Sequence, residues 1–383
     1  MKIAMLTTVG ERCGIASYSA ALVSSLRALP ETDVQVIPIA VGEQPASHYE
    51  AQAEQLNAPD VDVVHIQHEF SFWGFPTPGR SKFAELRRLI RRPLVVTAHT
   101  TLSLSAIFPT ASERNPWRWL KKKRLVTNRA YRESVEVSTF AANATIVHTE
   151  AAHTEFVRRG LESERLFVVP MGIPAPLPAN AGGSRFRDRH GLHGKRVLTL
   201  FGYVTPNKGY AMVAELLGTL PPDVTFVIAG GARRPMEEQY VEYLRRHIRR
   251  LGVEERVVVT GYLPDEEIAE VMKATDIALV PHTQATNSYS VTLPVTYGKP
   301  TLASDLACFR EMAARSDCLE LFRNGSKSDF REKLLALLGN PQRREQLAAN
   351  ALQDAARFTW PNVAAATRDV YRTAIDGHGG ARH

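Results

Sequence analysis

Several stretches of the sequence place chemically capable residues where short apolar runs give way to polar loops. In FGYVTPNKGY, residues 201–210, Gly202 permits a sharp backbone turn, Pro206 stiffens the loop, and Lys208 stands just ahead of a helical pattern. A lysine there can neutralise a diphosphate as a point charge. Taken alone it reads equally well as a surface lysine beside a turn glycine. In ATNSYSVTLPVTYGKPTLASD, residues 285–305, Asn287, Ser288 and Ser290 are good helix-capping types. A helix start offers free N–H groups and a partial positive charge, and phosphate binds well there. The plainer reading is an ordinary capped helix, whose regularity Pro294 limits unless it lies in the first turn.

Two histidine segments stand at expected strand ends: VVHIQHEF, residues 63–70, and VVTAHTT, residues 95–101. Strand ends project side chains towards a ligand, so His68, Glu69 and His99 are expected to meet, whereas His65 lies inside its strand and reads as core. In VGERCGIASYS, residues 9–19, Gly14 opens a helical pattern. It either lets a ligand approach the backbone or merely suits the turn. No Cys/His/carboxylate spacing fits a metal-ligand set, so neither a metal nor a cofactor is expected. Asp60-Val61-Asp62 has an Asp-x-Asp pattern but precedes its strand, at the amino end of a sheet, and reads as a strand-start turn.

The elements that must position these residues alternate along the chain. Strands are expected at Lys2–Thr8, Val34–Pro38, Val61–Ile66, Leu94–Ala98, Ala144–Thr149 and Leu166–Val169, then at Val197–Gly202, Val224–Ala229, Val257–Thr260, Ile277–Val280 and Pro300–Ala303. They are rich in Val and Ile and mostly non-alternating, as parallel strands covered on both faces should be. Helical patterns lie between them, including Ile15–Leu29, Tyr210–Thr219, Pro235–Leu251 and Asp265–Ala274. The alternation implies an α/β fold of two doubly wound, Rossmann-like domains facing a cleft. The Pro- and Gly-rich run PMGIPAPLPANAGGS, residues 170–184, suits a linker. The expected domains are residues 1–176, residues 177–360, and a final helix over 361–376 that crosses back to the first.

With 383 residues, 44% hydrophobic and 23% charged, the chain has the composition of a soluble globular protein too long for one ordinary core. MKIAMLTTVG is read as a buried strand rather than a signal peptide, and the three cysteines are too scattered for a disulfide framework, so a cytoplasmic location is expected. The net charge of +7 is modest and hints at acidic ligands. Nucleic acid is not expected, because the basic residues are not interleaved with a recognition motif.

Assembled in order, CGIASYS, QHEF, VTAHTT, PMGIP, FGYVTPNKG, VVVTGYLPDEEIAEVMKATDIALVP, YGKPTLASD and FTWPNVAAATRDVY make the chain resemble the retaining glycosyltransferase family 4, of GT-B architecture, over nearly its whole length. The resemblance implies a retaining transferase that moves a hexose from a nucleotide-diphosphate sugar to an acceptor hydroxyl without a metal. It implies that His99 contacts the transferred sugar, with His68 and Glu69 lining the same pocket. Gly14 would approach the diphosphate through its backbone, and Gly202 and Lys208 would form the phosphate loop. Ser288, Tyr289 and Ser290 would supply backbone and hydroxyl groups, while the backbone near Tyr262 and Leu263 would flank the nucleobase.

Two departures from the family pattern stand out. Tyr203 occupies a position where many relatives have arginine, and Ala285 and Leu293 occupy those of a glutamate pair. A charged hydrogen bond is worth about 1.5–3 kcal/mol, so the donor clamp is altered. A non-catalytic binding protein of the same fold and a sugar-nucleotide epimerase are the alternatives; a glycan phosphorylase lacks its lysine motif here. For the acceptor, Trp117 and Trp119 beside Lys121, Lys122, Lys123 and Arg124 suit the inner face of an anionic membrane and a glycan or lipid-linked acceptor. They suit a solvated basic helix equally.

Overall fold

The computed structural model describes residues 1–10, 14–73, 82–100, 117, 120, 124, 127, 128, 138–140, 142–177, 184–232, 235–285 and 289–379. Cys13, Trp119, Lys121, Lys122, Lys123 and Ser288, together with the side chain of Tyr289, lie outside the described residues. The chain forms two packed units, Met1–Gly172 with Trp360–His383, and Ile173–Thr359. Ile173 and Thr359, the first and last residues of the second unit, pair in a parallel bridge.

In the first unit β1 (Lys2–Thr7), β2 (Asp33–Pro38), β3 (Val63–His68), β4 (Leu94–Ala98), β5 (Ala144–Val147) and β6 (Leu166–Val168) form one parallel sheet in the order β2-β1-β3-β4-β5-β6. Every residue of β3 and β4 is buried, which explains why these runs do not alternate in polarity. Helices α1 (Gly14–Arg27), α2 (Ala46–Leu56), α3 (Lys82–Leu89) and α4 (Glu150–Arg158) run between the strands. The buried residues of α1, Tyr18, Ser19, Leu22, Val23 and Leu26, follow helical spacing and make one apolar stripe. Thr149 caps α4, its side chain accepting a hydrogen bond from the Ala152 N–H at 3.1 Å. A closing helix, Trp360–Gly379, packs against α1, β3, β4 and β5.

The second unit repeats the plan. Its strands are β7 (Arg196–Phe201), β8 (Val224–Ala229), β9 (Val257–Val259), β10 (Ile277–Val280), β11 (Thr301–Ser304) and β12 (Glu320–Phe322), all parallel, in the order β12-β11-β10-β7-β8-β9. Its helices are α5 (Ser184–Arg189), α6 (Tyr210–Leu217), α7 (Pro235–Arg250), α8 (Asp265–Ala274), α9 (Tyr289–Thr296), α10 (Ala307–Ser316), α11 (Lys327–Gly339) and α12 (Pro341–Arg357). Ser326 caps α11, and Asn340 caps α12 with Pro341 in its first turn.

The strands and helices expected from the sequence are present, each within two residues of its expected ends except the closing helix, which runs three residues further, to Gly379. Strand β12 was not expected; it is as short as β6 and β9 but, with Glu320 and no β-branched residue, lacks their apolar run. Pro294 falls inside α9 rather than in its first turn, so Ser290 lacks the return bond that a residue with an N–H would make. Asp60 and Asp62 hold the start of β1: Asp60 pairs with the Lys2 ammonium, and Asp62 accepts the Lys2 backbone N–H at 2.7 Å. They are a strand-start device, as read.

The docking of the closing helix depends on Gly172. A Cβ at that position would lie 2.6 and 2.7 Å from atoms of the Trp360 indole, a rigid group that is itself buried. Gly172→Ala is therefore expected to destabilise the first unit by about 1–3 kcal/mol through overpacking. Thermal unfolding of the full chain checks this; an unchanged midpoint would mean that the indole shifts freely.

Candidate functional site

Strand order reverses in the second unit between β7 and β10, where successive connections leave in opposite directions. Ligands bind at such points, beyond the carboxyl ends of the strands. After β7, Gly202 has φ of 118°, a conformation that favours glycine. A Cβ on Gly202 would strike the Lys208 ammonium and lie 3.7 Å from the Ser290 Cβ, so these three residues meet. Tyr210 donates its hydroxyl to the Gly202 carbonyl at 2.7 Å and fixes the loop from below. After β10, His282 lies with its Nε2 3.3 Å from Ser290 Oγ, and the Ser304 hydroxyl donates to its carbonyl at 2.6 Å. Burial, then the nearby Lys208 charge, lowers the His282 pKa to about 3, so the ring is neutral beside the cation.

The glycine crowd continues to the next strand. A Cβ on Gly230 would strike the Gly202 carbonyl, and one on Gly231 would lie 3.2 Å from the Tyr262 backbone N. The backbones of Gly202, Gly230, Gly231 and Tyr262 thus lie side by side with no side chain between them. The Tyr262 ring is exposed, whereas Leu263 is buried in an apolar cluster with Val227, Ala229 and Leu293. Leu293 and Ala285, at the positions of the missing glutamates, are both committed to packing: Ala285 lies against a second cluster containing Val291 and Val295. Leu293 is core in this chain, and Ala285 is half-buried against core.

In the first unit, register separates the expected residues. His68 pairs with Ala98 and Gln67 with Thr97, so His65, Gln67 and Thr97 share one face of the sheet while Ile66, His68 and Ala98 share the other. His99 follows the first set. Its Nε2 is 2.7 Å from Gln67 Oε1, and its ring meets Tyr18 edge-on at 4.9 Å and His148 at 5.3 Å. The Tyr18 ring also packs on Trp360. Desolvation, and then the charges of His148, His65 and, from the other face of the sheet, His68, hold the His99 pKa well below its usual value. His68 instead sits among Phe70, Phe83, Phe140 and Trp73, with its pKa lowered by burial to about 3. The structure does not bring His68 and His99 together. Glu69 is half-buried; burial raises its pKa, while the Thr100 hydroxyl donates to Oε2 and the Phe70 and Ser71 backbones hold the carboxylate. Gly14 begins α1 with open space where a Cβ would be.

Four residues at the sites were not expected from the sequence. His148, in VHTE after β5, donates from Nδ1 to the Val169 carbonyl at 2.9 Å and leaves a buried Nε2 without a partner. His282 follows β10 in VPH, and Gly230-Gly231 follows β8. All carry the strand-end signal that singled out His99 and Gly202.

The two-unit, doubly wound α/β plan is that of GT-B proteins. Among solved structures, the chain is similar to Anabaena Alr3699/HepE in complex with UDP and glucose, at a TM-score of 0.74 and 19% identity over 97% of this chain and 100% of that one. It is also similar to the sucrose-phosphate synthase of Thermosynechococcus elongatus, at 0.74 and 16% over 98% and 99%. The family description "Glycosyltransferase Family 4" matches residues 42–175, and "Glycosyl transferases group 1" matches residues 184–354. The chain belongs to glycosyltransferase family 4. It is 30% identical to the D-inositol 3-phosphate glycosyltransferase of Xylanimonas cellulosilytica over 61% of this chain and 58% of that protein. It is 24% identical to the MMP alpha-(1->4)-mannosyltransferase of Mycolicibacterium hassiacum over 74% and 66%. The matches span 58%, 64% and 57% of the first three curated relatives.

The buried histidines make stability pH-dependent. His65, His68 and His282 have pKa values of about 3 and His148 about 4, all below the ordinary histidine value because burial disfavours the cation. The unfolded chain binds protons first, so their contribution is complete above about pH 6.5 and is lost as pH falls towards 4. Glu69, raised by burial, works in the opposite sense but is outnumbered. The unfolding temperature is expected to fall steadily from pH 7 to pH 4.5, with each histidine contributing up to about 1.4 kcal/mol per pH unit. A flat profile across that range, measured by calorimetry, would mean that these rings titrate normally.

Proposed function

We propose that the chain is a retaining glycosyltransferase that moves a hexosyl group from a nucleotide-diphosphate sugar to an acceptor hydroxyl. The observation that carries this reading is the meeting of Gly202, Lys208 and Ser290 at the start of α9, beside the strand-order reversal. As the glycosidic bond breaks, its electron pair leaves with the nucleoside diphosphate. Lys208 and the positive end of the α9 dipole, with Ser288, Tyr289 and Ser290, stabilise that charge. The backbones of Gly14 and Gly202 approach the phosphates, and those of Gly230, Gly231, Tyr262 and Leu263 flank the base. His99 contacts the sugar. The acceptor oxygen attacks on the face the phosphate leaves, and its proton passes to the departing phosphate oxygen. Glu69, which accepts from the Thr100 hydroxyl, lines the pocket in this reading and forms no covalent intermediate. The charge on the leaving group is met by protein groups, so the reaction requires no divalent metal.

The names of the relatives support a sugar-transfer reaction, and the complex of the Anabaena neighbour with UDP-glucose makes uridine nucleotides the first to test. Calorimetric titration with UDP, GDP, ADP and dTDP is expected to show one binder, weakened in Lys208→Ala by about 1.5–3 kcal/mol, or roughly 10- to 150-fold. Transfer from the matching sugar nucleotide should persist in EDTA. The packing of Ala285 and Leu293 in apolar clusters favours one rival, a binding protein that kept the fold without the chemistry. Binding of none of the four nucleotides would select it.

A glycan or lipid-linked acceptor, used at the inner face of a membrane, completes the proposal. It rests on the indole of Trp117, 78% exposed, near the basic run that ends at Arg124. Among the described residues no helix is long and apolar enough to cross a membrane, so any contact there would be peripheral. The protein is expected to float with anionic liposomes at low salt and to be released by Trp117→Ser. Equal recovery with neutral liposomes would remove the membrane from the proposal.

A further inference from the structure

His65, Gln67, Thr97 and Tyr371 are fully buried, and they form one continuous run of hydrogen bonds that ends at His99. Buried polar groups must be paired, so the pairing determines where the protons are. Gln67 is the pivot. Its Nε2 is 3.9 Å from Met5 Sδ and 3.3 Å from His65 Nε2, and its Oε1 is 2.7 Å from His99 Nε2. A thioether has no hydrogen to offer, so the edge of the amide facing Met5 is the NH2 edge, and the carbonyl faces His99. A carbonyl only accepts. His99 Nε2 therefore carries the hydrogen, and in a neutral ring Nδ1 is then a bare lone pair.

The same logic runs back along the strand. His65 Nε2 faces the Gln67 NH2 and, at 2.7 Å, the Thr97 hydroxyl, so it accepts. His65 Nδ1–H donates to the Tyr371 hydroxyl at 2.7 Å, on the closing helix. Register makes the run possible: Gln67 stands opposite Thr97, so His65 and His99 lie diagonally across the same face. The ring of His99 is held from the other side by Tyr18 and His148.

We infer that Gln67 is a positioning residue that fixes His99 as its Nε2–H tautomer and presents Nδ1 as a hydrogen-bond acceptor for a hydroxyl of the transferred sugar, with His65 and Tyr371 holding the Gln67 amide in place. This rests on the reading of His99 as the sugar-contacting residue. The arrangement selects a donor: a sugar hydroxyl pointed at Nδ1 is accepted, and a sugar lacking it leaves the lone pair without a partner.

The test is ring-nitrogen NMR on the full-length protein labelled with 15N-histidine, with the His99 signals assigned from their loss in His99→Ala. In the wild type the Nε2–H tautomer is expected. Gln67→Met removes the acceptor; it should redistribute the tautomers and lower kcat about tenfold, the range of one hydrogen bond, while nucleotide affinity stays unchanged. Gln67→Glu keeps an acceptor and should restore both the tautomer and most of kcat. A wild-type ring protonated on Nδ1 would overturn the inference, even if Gln67→Met failed to fold. So would an altered tautomer with unaltered turnover in Gln67→Met. Full activity in His99→Ala would instead overturn the assigned contact with the sugar and leave the tautomer assignment standing.

Discussion

A parallel sheet covered on both faces must return its chain over those faces, and only the strand ends remain open to a ligand. Both units of this protein obey that constraint, and their candidate residues follow from it. In the second unit the order β12-β11-β10-β7-β8-β9 sends the connections from β7 and β10 in opposite directions. Gly202 and His282 follow those two strands, and α9 starts beside them. The proposed phosphate site is thus a consequence of topology that a few residue types make usable. Gly202 leaves room for the Lys208 ammonium, and Gly230 leaves room for the Gly202 carbonyl. Larger residues at either position would fill the space with side chain.

The first unit shows the cost of placing polar groups inside such a sheet. A buried amide or imidazole without a partner is destabilising by a few kcal/mol, so His65, Gln67, Thr97 and Tyr371 satisfy one another. The closing helix is part of that arrangement. Its Tyr371 anchors the run, its Trp360 covers Tyr18, and its approach is possible because Gly172 has no side chain. A segment some 270 residues further along the chain than His99 thereby helps to set the ring's surroundings. His148 extends the same theme, with one nitrogen satisfied by Val169 and the other left buried without a partner.

Much of this was legible in the residue pattern. Among the described residues, the Val- and Ile-rich runs marked eleven of the twelve strands, because strands covered on both faces favour apolar side chains. Strand β12 escaped because, with Glu320 and no β-branched residue, it lacks such a run. The pairing of His68 with His99 looked natural from two strand-end histidines, yet side chains alternate with a period of two. Strand β3 ends at His68 and β4 at Ala98, so His68 pairs with Ala98 and His99 falls on the other face. A one-residue difference in register is invisible without the partner strand. His65, read as core, is core, but its partners come from β4 and from the closing helix, and no local window contains them.

The altered donor clamp has its physical explanation in the same packing. Leu293 joins Leu263, Val227 and Ala229 in an apolar cluster, and Ala285 packs near Val291 and Val295. A carboxylate at the Leu293 position would have to be desolvated among those side chains, a cost that one hydrogen bond to a hydroxyl does not offset. The chain has therefore given Leu293 to its core and packed Ala285 against it, and in the proposed function recognition falls to other groups. These are the Lys208 charge, the hydroxyl of Ser290, the first-turn N–H groups of α9 and the adjoining glycine backbones. Backbone groups and a point charge hold phosphate strongly but distinguish sugars poorly. Discrimination among donors must then come from directional groups elsewhere, and an imidazole whose proton is fixed by its neighbours is such a group.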